Sequence, residues 1–166
     1  MTVSCPETKL FATQHDLPES TRRHMIEDLN STLATLVDLK FQLKQAHWNV
    51  KGIHFVQLHE LFDALAGEVD GYVDLVAERA TTLGGYAYGT VRDAAEHSVL
   101  PEYPVDAVHG KDHLQLLVER YATVAQKLRG HIDEASQAGD QGTADLFTEI
   151  SRGVDLRLWF LESHLI

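Results

Sequence analysis

The chain has 166 residues, with 25 acidic side chains and 14 Lys and Arg side chains, so its formal net charge is −11 when the ten His residues are neutral. This length suits one compact domain, and a hydrophobic content of 44% excludes a disordered or collagen-like chain. The acidic excess disfavours nonspecific attraction to the phosphate backbone of nucleic acids and suits a protein that handles cations.

Residues 1–17 mix Thr, Pro, His and charged side chains without a period, which predicts a flexible N-terminal tail before a helical domain at residues 18–166. The single cysteine, Cys5, cannot close an intramolecular disulfide, so no oxidising compartment is indicated. The opening residues lack the basic and apolar regions of a secretory signal, and no apolar run is long enough to span a bilayer. We therefore expect a cytoplasmic protein with no membrane contact.

Helix A is predicted from about Pro18 to Val50, because apolar side chains recur there at steps of three and four. These side chains are Ile26, Leu29, Leu33, Leu36, Val37 and Leu43. Gly52 interrupts the pattern, and helix B is predicted from near His54 to the glycine pair at 84–85, which is a strong C-terminal capping signal.

Residues 86–110 contain two glycines and two prolines and indicate a long connection, with one short helix around Val91 to His97. Helices C and D follow, separated by a turn at 138–142 with the sequence Ala-Gly-Asp-Gln-Gly. No segment shows β-type alternation. The pattern predicts an all-α fold, a ferritin-like four-helix bundle with a long crossover between helices B and C that carries a short helix.

Helix B also carries a polar stripe within an arc of roughly 100°, distinct from its apolar face. The stripe consists of His59, Asp63, Asp70, Asp74 and Glu78, with Gly67 in its gap. A solvated helix face is one interpretation. However, His59 with Asp63 and Asp74 with Glu78 are i,i+4 pairs that each place two metal donors side by side. Because two carboxylates at this spacing, such as Asp74 and Glu78, mildly destabilise a helix, a bound cation is the more specific hypothesis.

The two pairs lie 15 residues apart, about 22 Å along a helix, so one helix cannot direct both at one metal. Both the 59/78 and the 63/74 combinations have their midpoint between residues 68 and 69. Two B helices crossing antiparallel on a twofold axis there would place His59 opposite Glu78 of the partner subunit and Asp63 opposite Asp74 of the partner subunit. Small residues suit this crossing: Ala64, Ala66, Gly67 and Gly71. Packing of the glycines against another helix of the same bundle is the alternative.

His47 and Trp48 lie near the end of helix A. Because the chain turns back at Gly52, His47 can approach His59 and add a donor, although a hydrogen-bonded core histidine is the alternative. Trp48 is either a core residue or an electron donor near the site. A set of imidazoles and carboxylates suits ferrous iron, with zinc and manganese as competitors.

Three segments, His47–Gly52 (HWNVKG), His59–Asp63 (HELFD) and Val73–Ala80 (VDLVAERA), closely resemble the signatures of the Dps (DNA-protection-during-starvation) miniferritins. The resemblance extends into helix D, at Asp145, Ser151, Arg152, Asp155, Trp159 and Phe160. It implies a hollow homo-dodecamer built from twofold dimers. Each ferroxidase centre would take His47, His59 and Asp63 from one subunit and Asp74 and Glu78 from its partner, with Trp48 as an aromatic neighbour.

The reaction implied by this resemblance is the oxidation of ferrous iron, preferentially by hydrogen peroxide, with storage of the ferric mineral and protection against oxidative stress. The carboxylates would favour the more highly charged ferric state, and open coordination positions would admit peroxide. Asp140, Asp145 and Glu149 could line a threefold iron pore, as acids do in similar proteins. The alternative is a solvated helix N-terminus, where the helix dipole favours acidic side chains.

DNA binding is a separate question, because relatives that bind DNA commonly use a Lys-rich tail. Here Lys9 is the only Lys or Arg within residues 1–17, and Arg22 with Arg23 forms only a small basic spot. We therefore predict weak or no DNA affinity at neutral pH and physiological salt. A structural nucleoid protein that condenses DNA is the alternative function, and a helical bundle that merely dimerises is a third.

Overall fold

The computed structural model describes residues 9–166, so Cys5 and the first part of the predicted tail lie outside the described residues. The described chain forms five helices: α1 Glu19–Asn49, α2 Phe55–Thr82, α3 Val91–His97, α4 Gly110–Ala138 and α5 Gln141–Glu162. Helix α1 packs along α2, α4 packs along α5, and the short α3 lies against α1. The predicted all-α bundle with a short helix in its crossover is confirmed. Within residues 9–166, no helix is long and apolar enough to cross a membrane.

One apolar core lies inside the four long helices, and it contains the leucine stripe predicted for α1. The largest fully buried side chains include Met25, Leu29, Leu33, Leu36, Leu39, Leu43, Phe62, Leu65, Leu117, Tyr121 and Phe147. Each fully buried side chain of this size stabilises the fold by about 1.5–3 kcal/mol relative to an exposed one. This packing fixes which face of α2 points outward, and the polar stripe lies on that outward face.

The ends of α1 and α2 agree closely with the predicted ones. Helix α1 starts at Glu19, one residue after Pro18, and α2 ends at Thr82 before the predicted glycine pair. Gly84 has φ +91°, a left-handed conformation that favours glycine, and its N–H donates to the Thr81 carbonyl at 2.9 Å. The C-terminal capping signal is therefore confirmed.

The predicted turn at 138–142 is too long, because only Gly139 and Asp140 separate α4 from α5. Gly139 adopts φ +81° as the residue that ends α4. The Asp140 carboxylate accepts a hydrogen bond from the Thr143 N–H at 2.9 Å and so caps α5. Residues 141 and 142 therefore belong to the first turn of α5 rather than to a loop.

Residues 9–17 are non-helical, as predicted, and they contact the end of α2. The Phe11 N–H donates to the Gly84 carbonyl at 2.8 Å, while Leu10 and Leu17 pack partly buried against the core. At the other end of the bundle, the Lys51 N–H donates to the Val108 carbonyl at 2.9 Å. That bond ties the α1–α2 junction to the end of the crossover. The flexibility of the tail stays a prediction.

Candidate metal centre

Two predicted ligands, His47 and His59, lie against each other where α1 ends and α2 begins. Nδ1 of His47 is 2.7 Å from the His59 carbonyl oxygen, and Nδ1 of His59 is 2.8 Å from the His47 carbonyl oxygen. Because a carbonyl oxygen can only accept, each Nδ1 carries a proton, and the neutral form of each ring therefore has its lone pair on Nε2. The rings stack with centroids 3.8 Å apart. Histidines that bind metals are commonly oriented in this way, with the second ring nitrogen donating to a carbonyl.

This arrangement follows from the local chain path. The His47 carbonyl belongs to the last turn of α1, where carbonyls lack a partner within the helix, and His59 supplies one. The ring of Phe55 packs near that of His59, with centroids 5.0 Å apart. The short connection between the helices therefore places both imidazoles in fixed orientations.

Asp63 lies near the two imidazoles on the exposed side of α2, and Lys44 of α1 is its counter-ion. Lys44 Nζ donates to Asp63 Oδ1 at 2.6 Å. This hydrogen bond lowers the pKa of Asp63 below its ordinary 3.8, against the opposing effect of desolvation, and the charge of Lys44 acts in the same direction as the bond. Asp63 is thus a carboxylate at neutral pH that already contacts a cation.

Trp48 lies next to this group, and its side chain is 60% exposed. The interpretation of Trp48 as a core residue is therefore wrong for this chain. The Lys44 ammonium lies 5.6 Å from the centroid of its ring, a cation–π distance.

Asp74 and Glu78 are exposed on the same side of α2, farther along the helix. Within residues 9–166 their carboxylates have no hydrogen-bonding or ionic partner. The structure thus brings His47, His59 and Asp63 together and leaves Asp74 and Glu78 apart from them. Among the described residues, these five do not supply three ligand atoms within 4.8 Å of one another.

The small residues of α2 settle one open alternative. Gly67 and Gly71 are exposed, and a Cβ added to either would meet nothing within 4 Å. Packing of these glycines against another helix of the same bundle is therefore wrong. Ala64 is also exposed, whereas Ala66 is 2% exposed and faces the core, so Ala66 does not belong to the proposed crossing surface.

The three acids predicted for a pore have different surroundings. Asp140 is buried, caps α5 and accepts a hydrogen bond from Arg79 at 2.7 Å, so it has a structural role in this chain. Its assignment as a pore residue is therefore wrong. Asp140 instead lies at the N-terminus of α5, as the alternative had it, but its side chain is buried rather than solvated. Asp145 and Glu149 are exposed on α5, and their pore role stays a prediction.

Two lysines of α1 that face the polar stripe were not among the predicted site residues. Lys44 pairs with Asp63, and Lys40 donates to Asp70 Oδ1 at 2.6 Å. Their i,i+4 spacing on helix A, which places both side chains on one face of the helix, was the available signal. Asp70 is therefore an ion-pair partner of Lys40.

Comparisons with known proteins agree on the relationship. A family model for the ferritin-like domain matches residues 26–166. The DNA protection during starvation protein of Agrobacterium fabrum is 43% identical over 157 residues, which cover 95% of this chain and 97% of the relative. A protein of the same description from Brevibacillus brevis is 32% identical and covers 82% of this chain and 91% of the relative.

Solved structures give the same result. DpsC from Streptomyces coelicolor superposes with a TM-score of 0.92 at 33% identity and covers 100% of this chain and 96% of its own. The Dps protein from Vibrio cholerae O1, described as a member of a broad superfamily of ferritin-like diiron-carboxylate proteins, gives a TM-score of 0.87 at 23% identity, with 94% and 99% covered. At that identity, the second likeness shows the fold alone.

Proposed function

The chain belongs to the Dps proteins of the ferritin-like family, and from that premise we propose that it oxidises ferrous iron, preferentially with hydrogen peroxide, at centres shared between twofold-related subunits. The ferric product would be stored inside a hollow dodecamer. One observation carries the proposal: within residues 9–166, oriented imidazoles lie at one end of the exposed face of α2, carboxylates without a partner lie at the other end, and exposed glycines lie between them. A second α2 lying antiparallel would bring the two ends together.

Iron is the substrate of this reaction. The Nε2 lone pairs of His47 and His59 would bind it as neutral donors, and Asp63 with Asp74 and Glu78 of the partner subunit would supply negative charge that favours the ferric state. Iron would compete with Lys44, which contacts Oδ1 of Asp63, for the charge of that carboxylate. One peroxide accepts an electron from each of two ferrous ions as its O–O bond breaks, and hydrolysis then gives ferric oxyhydroxide and protons. No hydroxyl radical is released, because both electrons go to the same peroxide.

The charge distribution supports a role in iron chemistry over DNA condensation. The net charge is −11, and the small basic spot at 22–23 is already engaged: Arg22 donates to the Leu83 carbonyl at 2.9 Å, and Arg23 pairs with Glu19 at 2.7 Å. We expect no retention of duplex DNA in a gel-shift titration at about 150 mM salt. Retention at that salt concentration would favour the nucleoid function instead.

A mixing experiment tests whether the centre is shared. His59→Ala damages one end of each centre, and Asp74→Ala with Glu78→Ala damages the other end, so we expect each variant alone to lose rapid oxidation. A dimer with one chain of each kind keeps one intact centre, because the unmutated imidazoles of one chain meet the unmutated carboxylates of the other. Random mixing from denaturant should thus restore about one quarter of the wild-type rate.

The measurement is stopped-flow absorbance of ferric product after ferrous iron and peroxide are added. Asp70→Ala is the matched control, since Asp70 lies on the same stripe but outside the proposed ligand set, and it should oxidise iron at the wild-type rate. If the mixture stays as inactive as the two variants, while wild-type protein refolded in the same way regains its rate, the shared centre is wrong.

A further inference from the structure

A second group of imidazoles and carboxylates lies between the beginning of α1 and the end of α4. His24 Nε2 is 3.7 Å from Asp28 Oδ2 on α1. From α4, His131 Nδ1 is 3.5 Å from Asp28 Oδ1 and 3.4 Å from Glu134 Oε2. His24, Asp28 and Glu134 each offer one ligand atom, and these three atoms lie within 4.8 Å of one another.

Asp28 is the buried member of this group. It is 9% exposed, and its Oδ2 atom accepts no hydrogen bond from any described residue. His131 also has a buried ring nitrogen, Nε2, that finds no partner within the described part of the chain. Burial of a carboxylate oxygen without a hydrogen bond is costly, so such an oxygen normally has a cation or a donor beside it.

The distances are longer than those of strong hydrogen bonds, and only the contact of His131 Nδ1 with Glu134 Oε2, at 3.4 Å, is a weak hydrogen bond. Charge-assisted hydrogen bonds between these groups would be about 2.7–2.9 Å long, whereas the observed separations are 3.4–3.7 Å. Ligand atoms that are bound tetrahedrally at zinc-type bond lengths lie about 3.4 Å from one another, close to the 3.7 Å between His24 Nε2 and Asp28 Oδ2. Glu134 and His24 are exposed, so their side chains can close the remaining distance.

Charge leaves room for a cation. Lys127 lies one turn before His131, donates to Ser31 Oγ at 2.7 Å and interacts electrostatically with Asp28 and Glu134. One ammonium offsets one of the two carboxylates and leaves one negative charge when the imidazoles are neutral.

We propose that His24, Asp28 and Glu134 bind a divalent transition metal within one chain, with His131 as the adjacent fourth donor. A given set of imidazole and carboxylate ligands binds Zn²⁺ more tightly than Fe²⁺ or Mn²⁺, so Zn²⁺ is the probe of choice for this site. This inference does not rest on the proposed ferroxidase function, because it uses neither the α2 stripe nor a partner subunit. A proton on His24 or His131 is the competing counter-charge.

The test is a calorimetric titration of the full chain with Zn²⁺. The starting variant carries His59→Ala, Asp74→Ala and Glu78→Ala, so the proposed shared centre is already damaged. We expect it to bind about one Zn²⁺ per chain, and the added pair His24→Ala and Glu134→Gln to weaken that binding at least about tenfold. Asp28 is left intact because its substitution could unfold the chain.

The matched control is another His and Asp pair at i,i+4 spacing, Asp93 with His97 on α3, whose atoms approach to 3.3 Å. Asp93→Asn with His97→Ala should leave Zn²⁺ binding unchanged. A Zn²⁺-soaked crystal of the wild-type protein should also show anomalous scattering beside His24 Nε2. Unchanged titration of the His24→Ala and Glu134→Gln variant, with its helical circular dichroism intact, would overturn the proposal.

The outcome is distinguishable from failure of the ferroxidase proposal. In an otherwise wild-type chain, His24→Ala with Glu134→Gln should keep peroxide-dependent oxidation of ferrous iron while losing one Zn²⁺ per chain. Loss of Zn²⁺ binding with oxidation retained supports the second site. If the mixing experiment fails but this Zn²⁺ is still lost, only the shared centre is wrong.

Discussion

Two groups of histidines and acids differ in what would complete a metal site. They are the α1–α2 junction, with His47, His59 and Asp63, and the α1–α4 cluster, with His24, Asp28, His131 and Glu134. At the junction, the histidines are held by backbone carbonyls and the acids that complete the proposed site lie far along α2. In the cluster, His24, Asp28 and Glu134 converge within one chain, and the buried Asp28 Oδ2 accepts no hydrogen bond from any described residue. The proposed centre at the junction would therefore depend on a second chain, whereas the proposed site at the cluster would depend only on the packing of α1 against α4.

The largest expected effect comes from Gly67→Arg. Its Cβ meets nothing within 4 Å in the single chain, so the helix should remain folded, but a long side chain at the crossing should prevent the second α2 from approaching. We expect smaller assemblies by light scattering and at least about a tenfold loss of peroxide-dependent oxidation, because the partner carboxylates are removed.

The matched control is Gly130→Arg, another exposed helical glycine whose Cβ would meet nothing within 4 Å. This variant should oxidise iron normally. Zn²⁺ binding at the α1–α4 cluster should survive Gly67→Arg, since no partner chain contributes to it. If Gly67→Arg lost Zn²⁺ binding at the cluster as well as iron oxidation, the distinction between the two regions would be wrong. If Gly67→Arg kept full iron oxidation, the proposed crossing of the two helices would not lie at residue 67.

The fold and the α1–α2 junction could be predicted well, because the sequence patterns that indicate them are local. The three-and-four spacing of leucines gave α1, and the His59–Asp63 pair lies within one helical turn. The mutual hydrogen bonds of His47 and His59 could not be predicted, since they depend on the backbone path through residues 50–54. The α1–α4 cluster was missed because its two halves lie about a hundred residues apart in the chain, and only helix packing brings them together.

Asp140 is a third case for this comparison, because it is a buried carboxylate whose counter-ion, Arg79, belongs to the same chain. It caps α5 and pairs with Arg79, so it needs no metal. Asp140→Ala should lower the free energy of unfolding by about 2–3 kcal/mol, because the cap is lost and the partly buried Arg79 loses its carboxylate partner. The check is a urea unfolding curve at fixed protein concentration.

The control for that prediction is Asp145→Ala. Asp145 lies exposed on the same helix, and its substitution should change stability by no more than about 0.5 kcal/mol. If Asp140→Ala were as stable as Asp145→Ala, the cap and ion pair would not be the reason for burying Asp140. The assignment of Asp140 to a pore would then need to be reconsidered.

Lys44→Met should have the smallest effect and probes the junction alone. Removing the ammonium frees Asp63, so Fe²⁺ should bind roughly fivefold more tightly at neutral pH, and the same variant should leave the α1–α4 cluster unchanged. Equilibrium titration with Fe²⁺ under anaerobic conditions measures the first effect. Unchanged or weaker Fe²⁺ binding would mean that Lys44 does not compete with iron for Asp63.

The pH dependence of Lys44→Met follows from the lowered pKa of Asp63. A carboxylate with a folded-state pKa below the unfolded value of 3.8 stabilises the fold above that value and loses this contribution as the pH falls through the folded pKa. Wild type should therefore be slightly more heat-stable than Lys44→Met at neutral pH, and the two melting temperatures should converge in acid below the folded pKa. A difference that persisted there would show that Lys44 acts by packing, as over Trp48, because protonation of Asp63 removes only the ionic contribution.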